Sequence, residues 1–149
     1  MQRILITEGD KTISEVIVGE GILTHAAHNL PERASRQRVA IVAQPTVASY
    51  VDVVERSLVE SGAAVAVVPL PDGERAKTLS TVEAVALELN RLGLSRGDTI
   101  VGIGGGAATD VAGFIAATYL RGVECVVAPT TLLGAVDASI GGKTLSLIH

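Results

Sequence analysis

The chain has 149 residues, 48% hydrophobic and 19% charged, so it has the size of one globular domain and can bury a core. Twelve basic against sixteen acidic residues give a formal net charge of −4, which argues against a general binder of nucleic acid or membrane surfaces, because polyanions need a basic footprint. The single cysteine, Cys125, excludes an internal disulfide framework, and without an apolar leader or span the sequence predicts a cytoplasmic protein.

The first forty residues are predicted to form a hairpin, a helix and a buried strand. Strand-like residues 4–7 and 13–18 flank the turn-forming tripeptide Glu8-Gly9-Asp10. A helix is expected over residues 21–30, ended by Pro31. The apolar run 38–43 is typical of a buried strand.

From residue 38 onwards, strand and helix patterns alternate. Thr46 is the expected cap of a helix whose apolar stripe comprises Val47, Tyr50, Val51, Val54 and Leu58. A second helix is expected to open with a capping box over residues 80–83. Further strands are predicted at 64–68, 99–103 and 124–128, the last burying Cys125, with a helix at 108–119. This order predicts an α/β fold, a mostly parallel sheet with helices on both faces, which binds ligands at the carboxyl ends of its strands.

The most informative segment is Gly102-Ile103-Gly104-Gly105-Gly106-Ala107-Ala108-Thr109-Asp110, which leaves a buried strand and enters a helix. Glycines let a pyrophosphate approach the backbone closely, and a helix start offers free N–H groups. A standard dinucleotide motif would need an acid at the end of the next strand, whereas Glu124 begins it. The segment therefore predicts a dinucleotide site of another design, with tight packing and no ligand as the alternative.

Other segments carry weaker signals. The charged loop 71–78 is either a solvated turn or a place where a carboxylate binds ribose hydroxyls and a lysine meets a phosphate. Thr130 and Thr131 could contact a ligand or cap the next turn. Gly142-Lys143-Thr144 is no P-loop, because Asp137 stands where that motif needs glycine, and His25 with His28 is interpreted as a solvated helix face rather than a metal site.

Taken in order, these segments resemble the 3-dehydroquinate synthase family of sugar-phosphate cyclases. The resemblance is close from residue 71 to 144. It rests on four stretches: Pro71-Asp72-Gly73-Glu74 with Lys77-Thr78; Gly104 to Phe114 with Ala117-Thr118-Tyr119-Leu120-Arg121-Gly122; Pro129-Thr130-Thr131-Leu132-Leu133; and Val136-Asp137-Ala138-Ser139-Ile140-Gly141-Gly142-Lys143-Thr144.

The resemblance implies an N-terminal, Rossmann-like NAD-binding domain that is followed by a helical domain holding zinc or cobalt. The family converts 3-deoxy-arabino-heptulosonate 7-phosphate to 3-dehydroquinate and phosphate in the shikimate pathway, and a homodimer is expected. Asp137 and Lys143 would face the sugar phosphate, and Arg121 would reach its phosphate, in a neighbouring subunit's site. By position, NAD would be held by Asp72, Gly73, Glu74, Arg75, Ala76, Lys77, Gly105, Gly106, Ala107, Ala108, Thr109, Asp110, Thr130 and Thr131.

The end of the sequence departs from the family. After Thr144 the residues Leu145-Ser146-Leu147-Ile148-His149 do not continue its pattern, and the metal ligands of the second domain are absent. The expectation is therefore one truncated NAD-binding domain, 1–149, without a metal site and inactive alone. Alternatives are another cyclase of the deoxy-inosose synthase type, a polyol dehydrogenase, or a non-catalytic nucleotide-binding fragment.

Overall fold

A computed structural model describes residues 1–30 and 37–140 of the chain. The chain begins with an antiparallel hairpin of β1 (Gln2–Glu8) and β2 (Lys11–Val18), which confirms the predicted hairpin. Most residues of both strands are exposed, so the hairpin stands outside the main core. The expected end of the next helix at Pro31 lies outside the described residues.

The core is built on a four-stranded parallel sheet. Its strands are β3 (Arg38–Ala43), β4 (Ala64–Pro69), β5 (Thr99–Gly104) and β6 (Glu124–Pro129). They lie in the order β4-β3-β5-β6, with every neighbouring pair parallel. The two central strands are almost wholly buried, as expected for apolar strands covered on both faces. The predicted α/β fold is confirmed.

Helices cover both faces of this sheet. α1 (Ala26–Asn29) and α2 (Ala48–Glu60) pack with Val39, Ile41 and Ile103 on one face. α3 (Leu79–Arg91) and α4 (Gly106–Thr118) pack with Ala40, Val42 and Ile100 on the other. Because side chains alternate along a strand, β3 supplies both apolar layers.

The predicted helix starts are wrong in four places, one of which is α4, which begins at Gly106 rather than at residue 108. Residues 22–25 form a 3₁₀ turn, so α1 is a short α-helix beginning at Ala26 rather than at residue 21. Thr46 caps nothing, because Pro45 starts another 3₁₀ turn ahead of α2. α3 is capped two residues before the predicted capping box: the Thr78 hydroxyl accepts the Thr81 N–H at 3.2 Å, which leaves Ser80 inside the helix.

Two burial predictions are also wrong. Tyr50 is 47% exposed, since it lies at the first turn of α2 beside the apolar stripe rather than in it. Cys125 is exposed because β6 is an edge strand, none of whose residues is fully buried.

Asp98 joins the amino-terminal ends of β3 and β5. It is buried and accepts three hydrogen bonds, from the Ser95 N–H at 2.6 Å, the Ser95 hydroxyl at 2.8 Å and the Arg38 N–H at 3.0 Å. Burial alone would raise the pKa of Asp98, but these hydrogen bonds and the Arg38 charge outweigh it and lower the pKa below the ordinary 3.8. The ionised carboxylate therefore stabilises the fold.

Asp98→Asn is expected to lower the free energy of unfolding at pH 7 by about 2 kcal/mol, since hydrogen bonds to a charged group are lost. A lowered pKa gives stability that is present above pH 3.8 and is lost as the pH falls through the pKa of the folded state. The difference between wild type and variant should therefore shrink from pH 7 to pH 3, measured by urea unfolding. Asp52→Asn, on the exposed side of α2, is the control and should show no such difference. An Asp98→Asn variant as stable as wild type at pH 7 would refute the role.

Candidate functional site

The sheet has a topological switch point between β3 and β5. After β3 the chain crosses by α2, on one face, to β4, whereas after β5 it crosses by α4, on the opposite face, to β6. The loops after the two central strands therefore diverge and leave a crevice at their carboxyl ends, the usual ligand position in open parallel sheets. Gln44 follows β3 at this edge, and Gly105 follows β5.

The glycines of the β5–α4 turn divide into two pairs. A Cβ on Gly102 would lie 2.5 Å from the Ala112 Cβ, and one on Gly104 would lie 2.7 Å from the Ala108 Cβ, so helix–strand packing requires both glycines. A Cβ on Gly105 would make only an ordinary contact, at 3.5 Å from Thr131 Cγ2, and one on Gly106 would lie 3.9 Å from the Ala138 Cβ. Tight packing thus explains the first pair and leaves Gly105 and Gly106 unexplained.

α4 begins directly at this turn. Its N-cap, Gly105, has no side chain to satisfy the free N–H groups of the first turn, and none of the first four residues is basic or acidic. The Thr109 hydroxyl is buried against the carbonyls of Gly105 and Gly106, at 3.2 and 3.1 Å. Ala107 and Ala108 are buried as well, so these three predicted cofactor residues can meet a ligand only through their backbone.

Lys77 and Asp110 form a buried ion pair that joins two loops of the site. The Lys77 Nζ lies 3.1 Å from Asp110 Oδ2 and 3.1 Å from Glu74 Oε2. The side chains of Lys77 and Asp110 are 10% and 6% exposed, and that of Glu74 is 69% exposed. Burial alone would lower the pKa of Lys77, but the hydrogen bonds and charges of Asp110 and Glu74 raise it above 10.5. The lysine is therefore a fixed cation.

Asp110 also carries a buried acceptor that none of the described residues uses. Its Oδ1 accepts no hydrogen bond from any residue of 1–30 or 37–140, although buried polar atoms are usually paired. An unpaired buried acceptor is costly unless a ligand donates to it. A hydroxyl donor bound beside the start of α4 would satisfy it.

The loop after β4 presents the charged residues of the predicted ribose site. Asp72, Glu74 and Arg75 are exposed, while Ala76 is fully buried and anchors the loop to the core. Gly73, at φ +65°, begins a 3₁₀ turn, Gly73–Ala76, which sets Glu74 beside Lys77. The structure therefore brings Lys77 of the predicted loop into contact with Asp110, with Glu74 on the solvent side of the lysine.

Gln44 belongs to this site, although the sequence reasoning missed it. It is 8% exposed, and its Nε2 donates to the carbonyls of Pro71, at 2.8 Å, and Gly73, at 2.9 Å. The available signal was a polar side chain that follows the apolar run 39–43 and stands before Pro45.

The fourth loop, after β6, completes the edge. The Thr130 N–H donates to the Gly104 carbonyl at 2.8 Å, and the Thr131 hydroxyl accepts the Gly134 N–H at 3.1 Å. This bond lies just ahead of a π-helical turn, Gly134–Ala138, in which Asp137 is exposed. Of the three predicted substrate residues, Lys143 lies outside the described residues.

Arg121 lies at the other end of the sheet. α4 carries the chain about 20 Å away from the glycine turn, and β6 then begins opposite the first residue of β5. Leu120 and Arg121 have positive φ, 48° and 67°, a conformation that non-glycine residues rarely adopt. Arg121 therefore cannot reach a ligand at the glycine turn of its own chain.

Two further features concern metals and membranes. Among residues 1–30 and 37–140, no group of three or more His, Cys, Asp or Glu side chains could hold a metal ion. Within the same residues, no helix is long and apolar enough to cross a membrane.

Comparison with known proteins identifies the family. The family model described as 3-dehydroquinate synthase N-terminal matches residues 67–146. The 3-dehydroquinate synthase of Mycolicibacterium vanbaalenii is 49% identical over 129 residues, 87% of this chain but only 35% of that protein. The chain thus spans about a third of the length of the curated relatives it matches.

Two solved sugar-phosphate cyclases have a similar structure. The 2-epi-5-epi-valiolone synthase of Streptomyces hygroscopicus, with NAD+ and Zn2+ bound, is 29% identical with a TM-score of 0.74, covering 93% of this chain and 38% of that one. A 2-deoxy-scyllo-inosose synthase complexed with carbaglucose-6-phosphate, NAD+ and Co2+ is 30% identical with a TM-score of 0.72, covering 80% and 32%. The fold is therefore Rossmann-like, and the chain belongs to the 3-dehydroquinate synthase family, whose N-terminal part it matches.

Proposed function

We propose that the chain is the NAD-binding part of a 3-dehydroquinate synthase, which converts 3-deoxy-arabino-heptulosonate 7-phosphate to 3-dehydroquinate and phosphate. The observation that carries the proposal is the buried Asp110, whose Oδ1 has no partner among the residues that the structure describes, beside two glycines that packing does not require. Both features are costs to the free protein that a bound dinucleotide would offset.

The residues of the site suit NAD. The pyrophosphate would lie on Gly105 and Gly106 at the start of α4, where free N–H groups and the helix dipole favour an anion. Asp110 would accept a hydrogen bond from a cofactor hydroxyl through Oδ1, and the exposed Glu74 would bind ribose hydroxyls. Asp72, Gly73, Arg75 and Ala76 would line the same side, and Thr130 with Thr131 the other.

Lys77 would act by holding the site together. An ammonium has three donors, and two of them already serve Asp110 and Glu74. The third could meet a cofactor oxygen. NAD would supply a reversible hydride acceptor for the substrate.

The substrate and the assembly are part of the proposal. Asp137 and Lys143 would face the sugar phosphate, and Arg121 would bind its phosphate in the site of a second subunit. The position of Arg121, at the far end of the sheet from the glycine turn, supports this role in a homodimer. We also place the protein in the cytoplasm.

Metal binding is not assigned to the described residues. The solved relatives hold zinc or cobalt, but the described residues of this chain offer no set of ligands that fits such an ion. We therefore assign no step to a metal here. The 149 residues are expected to bind the cofactor without completing the reaction, since the matched segment covers only 35% of the relative's length.

Another cyclase is the second candidate, because the solved neighbours are synthases with other names, one of them complexed with carbaglucose-6-phosphate. The higher identity to proteins named 3-dehydroquinate synthase, 42–49% against 29–30%, favours the first candidate. Likeness to a glycerol dehydrogenase from Schizosaccharomyces pombe, at 18% identity, shows the fold alone.

Calorimetric titration with NAD tests the proposal. Glu74→Ala is expected to weaken binding roughly ten- to a hundred-fold, since one charge-assisted hydrogen bond is worth about 1.5–3 kcal/mol. Glu83→Ala, which removes an exposed carboxylate on α3, is the matched control and should bind as wild type does. A wild-type chain that does not bind NAD would refute the proposed function, and equal binding by the Glu74→Ala variant would refute the ribose role.

A further inference from the structure

Gln44 connects two loops of the site through one atom. Its Nε2 donates to the carbonyls of Pro71 and Gly73, so both amide hydrogens are used on the loop after β4. These partners are 27 and 29 residues away in sequence, and the glutamine is 8% exposed. The contact is therefore a buried cross-link between the end of β3 and a loop that is otherwise largely exposed.

The other anchors lie at the ends of the loop, where Lys77 pairs with Asp110 and also contacts the Glu74 carboxylate. The Leu70 N–H donates to the Ala43 carbonyl at 2.8 Å, and Ala76 is buried at the far end. Residues 71–75 between them are all exposed, so packing does little to fix this stretch. Gly73 directly precedes Glu74, so the Gln44 amide holds the backbone from which the Glu74 carboxylate projects.

We propose that Gln44 is a positioning residue for cofactor binding, acting through Glu74. The inference rests on the proposed function, in which Glu74 binds the ribose of NAD. The carbonyls of Pro71 and Gly73 both point at the Gln44 side chain, and its amide nitrogen can donate one hydrogen bond to each. A carboxylate of the same shape would place acceptor against acceptor.

A double-mutant cycle separates this role from general stabilisation. Gln44→Met keeps the size of the side chain and removes both donors, so it is expected to lower NAD affinity about tenfold in calorimetry, the value of one ordinary hydrogen bond. In a Glu74→Ala background the same change should cost less than about twofold, because the carboxylate it positions is already gone. Thermal unfolding without NAD shows how far each variant is destabilised.

Gln44→Glu adds a readout that depends on pH. At pH 8 the introduced carboxylate should repel both carbonyls and weaken NAD binding more than Gln44→Met does. At pH 6 part of the affinity should return, because burial near two carbonyls favours the protonated acid, which can donate one hydrogen bond. Gln2→Glu, the same change on the exposed hairpin, is the control and should bind alike at both pH values.

The outcomes distinguish the two proposals. Loss of affinity confined to the background that contains Glu74 supports the positioning role. Equal losses in both backgrounds, or no loss in either, would overturn it while the proposed function stands. Failure of the unsubstituted chain to bind NAD would instead refute the proposed function, and the positioning role would fall with it.

Discussion

Gly105→Val is expected to abolish NAD binding and to leave the fold intact. Gly105 has φ −74° and ψ −173°, an extended conformation that any residue adopts, and a Cβ there makes only an ordinary contact with Thr131. The valine would, however, occupy the space through which a pyrophosphate reaches the start of α4. We expect the affinity for NAD to fall at least a hundred-fold, about 3 kcal/mol, in calorimetric titration.

Gly102→Ala is the matched comparison and should behave in the opposite way. Its Cβ would meet that of Ala112 at 2.5 Å inside the core, which costs about 1–3 kcal/mol of stability by overpacking. Urea unfolding of both variants gives the contrast. If Gly105→Val is destabilised as much as Gly102→Ala, or binds NAD as wild type does, the glycine turn does not serve a pyrophosphate.

The sheet could be predicted from the sequence because its strands are short apolar runs bounded by glycine, proline and polar residues. Arg38–Ala43 and Thr99–Gly104 are the clearest, since both are buried on two faces and need no alternation. The helix starts were harder. Thr78, Ser80 and Thr81 all have hydroxyls suited to capping, and the sequence pattern does not show which one stands outside the helix.

The candidate site was predictable where its residues are neighbours in sequence. The glycine turn and the loop 71–78 can be recognised from their composition, and the parallel order of the strands brings both to the same edge of the sheet. The pairing of Lys77 with Asp110 and the link from Gln44 to Gly73 join residues about 30 positions apart. Such contacts depend on the exact register of the strands and on the path of each loop.

The sequence also could not show which glycines are needed for packing and which are left for a ligand. Gly102, Gly104, Gly105 and Gly106 form one motif in the sequence, yet packing requires only the first two. That difference depends on how closely Ala108 and Ala112 of α4 approach β5. It separates residues that build the fold from residues left for a ligand, and it makes Gly105 the better position for a test.

Asp110→Asn is expected to lower stability and to abolish NAD binding together. Removing Asp110 from the buried ion pair leaves Lys77 with only the exposed Glu74 as a partner, at a cost of up to about 3–5 kcal/mol. Asn is isosteric with Asp, so the change removes the charge without leaving a cavity. Urea unfolding gives the stability, and calorimetry with NAD gives the binding.

The double variant Lys77→Met with Asp110→Asn separates the two effects. Replacing a whole buried pair by uncharged groups is often nearly neutral, so the stability should return to within about 1 kcal/mol of wild type. Binding of NAD should stay weaker than in wild type, because a neutral amide oxygen replaces the charged acceptor at Oδ1 and the Lys77 ammonium is gone. Recovery of both would mean that Asp110 serves only the fold.

The pH dependence of the unfolding free energy is expected to show that Lys77 is the cation of the ion pair. Its pKa is raised in the folded state, so its contribution is complete below the ordinary 10.5 and is lost as the pH rises through the higher pKa of the fold. Wild type should therefore lose stability relative to Lys77→Met only above pH 10.5. The difference in unfolding free energy between wild type and Lys77→Met is the quantity to measure. If it stayed constant from pH 8 to pH 11.5, the ammonium charge would not stabilise the ion pair.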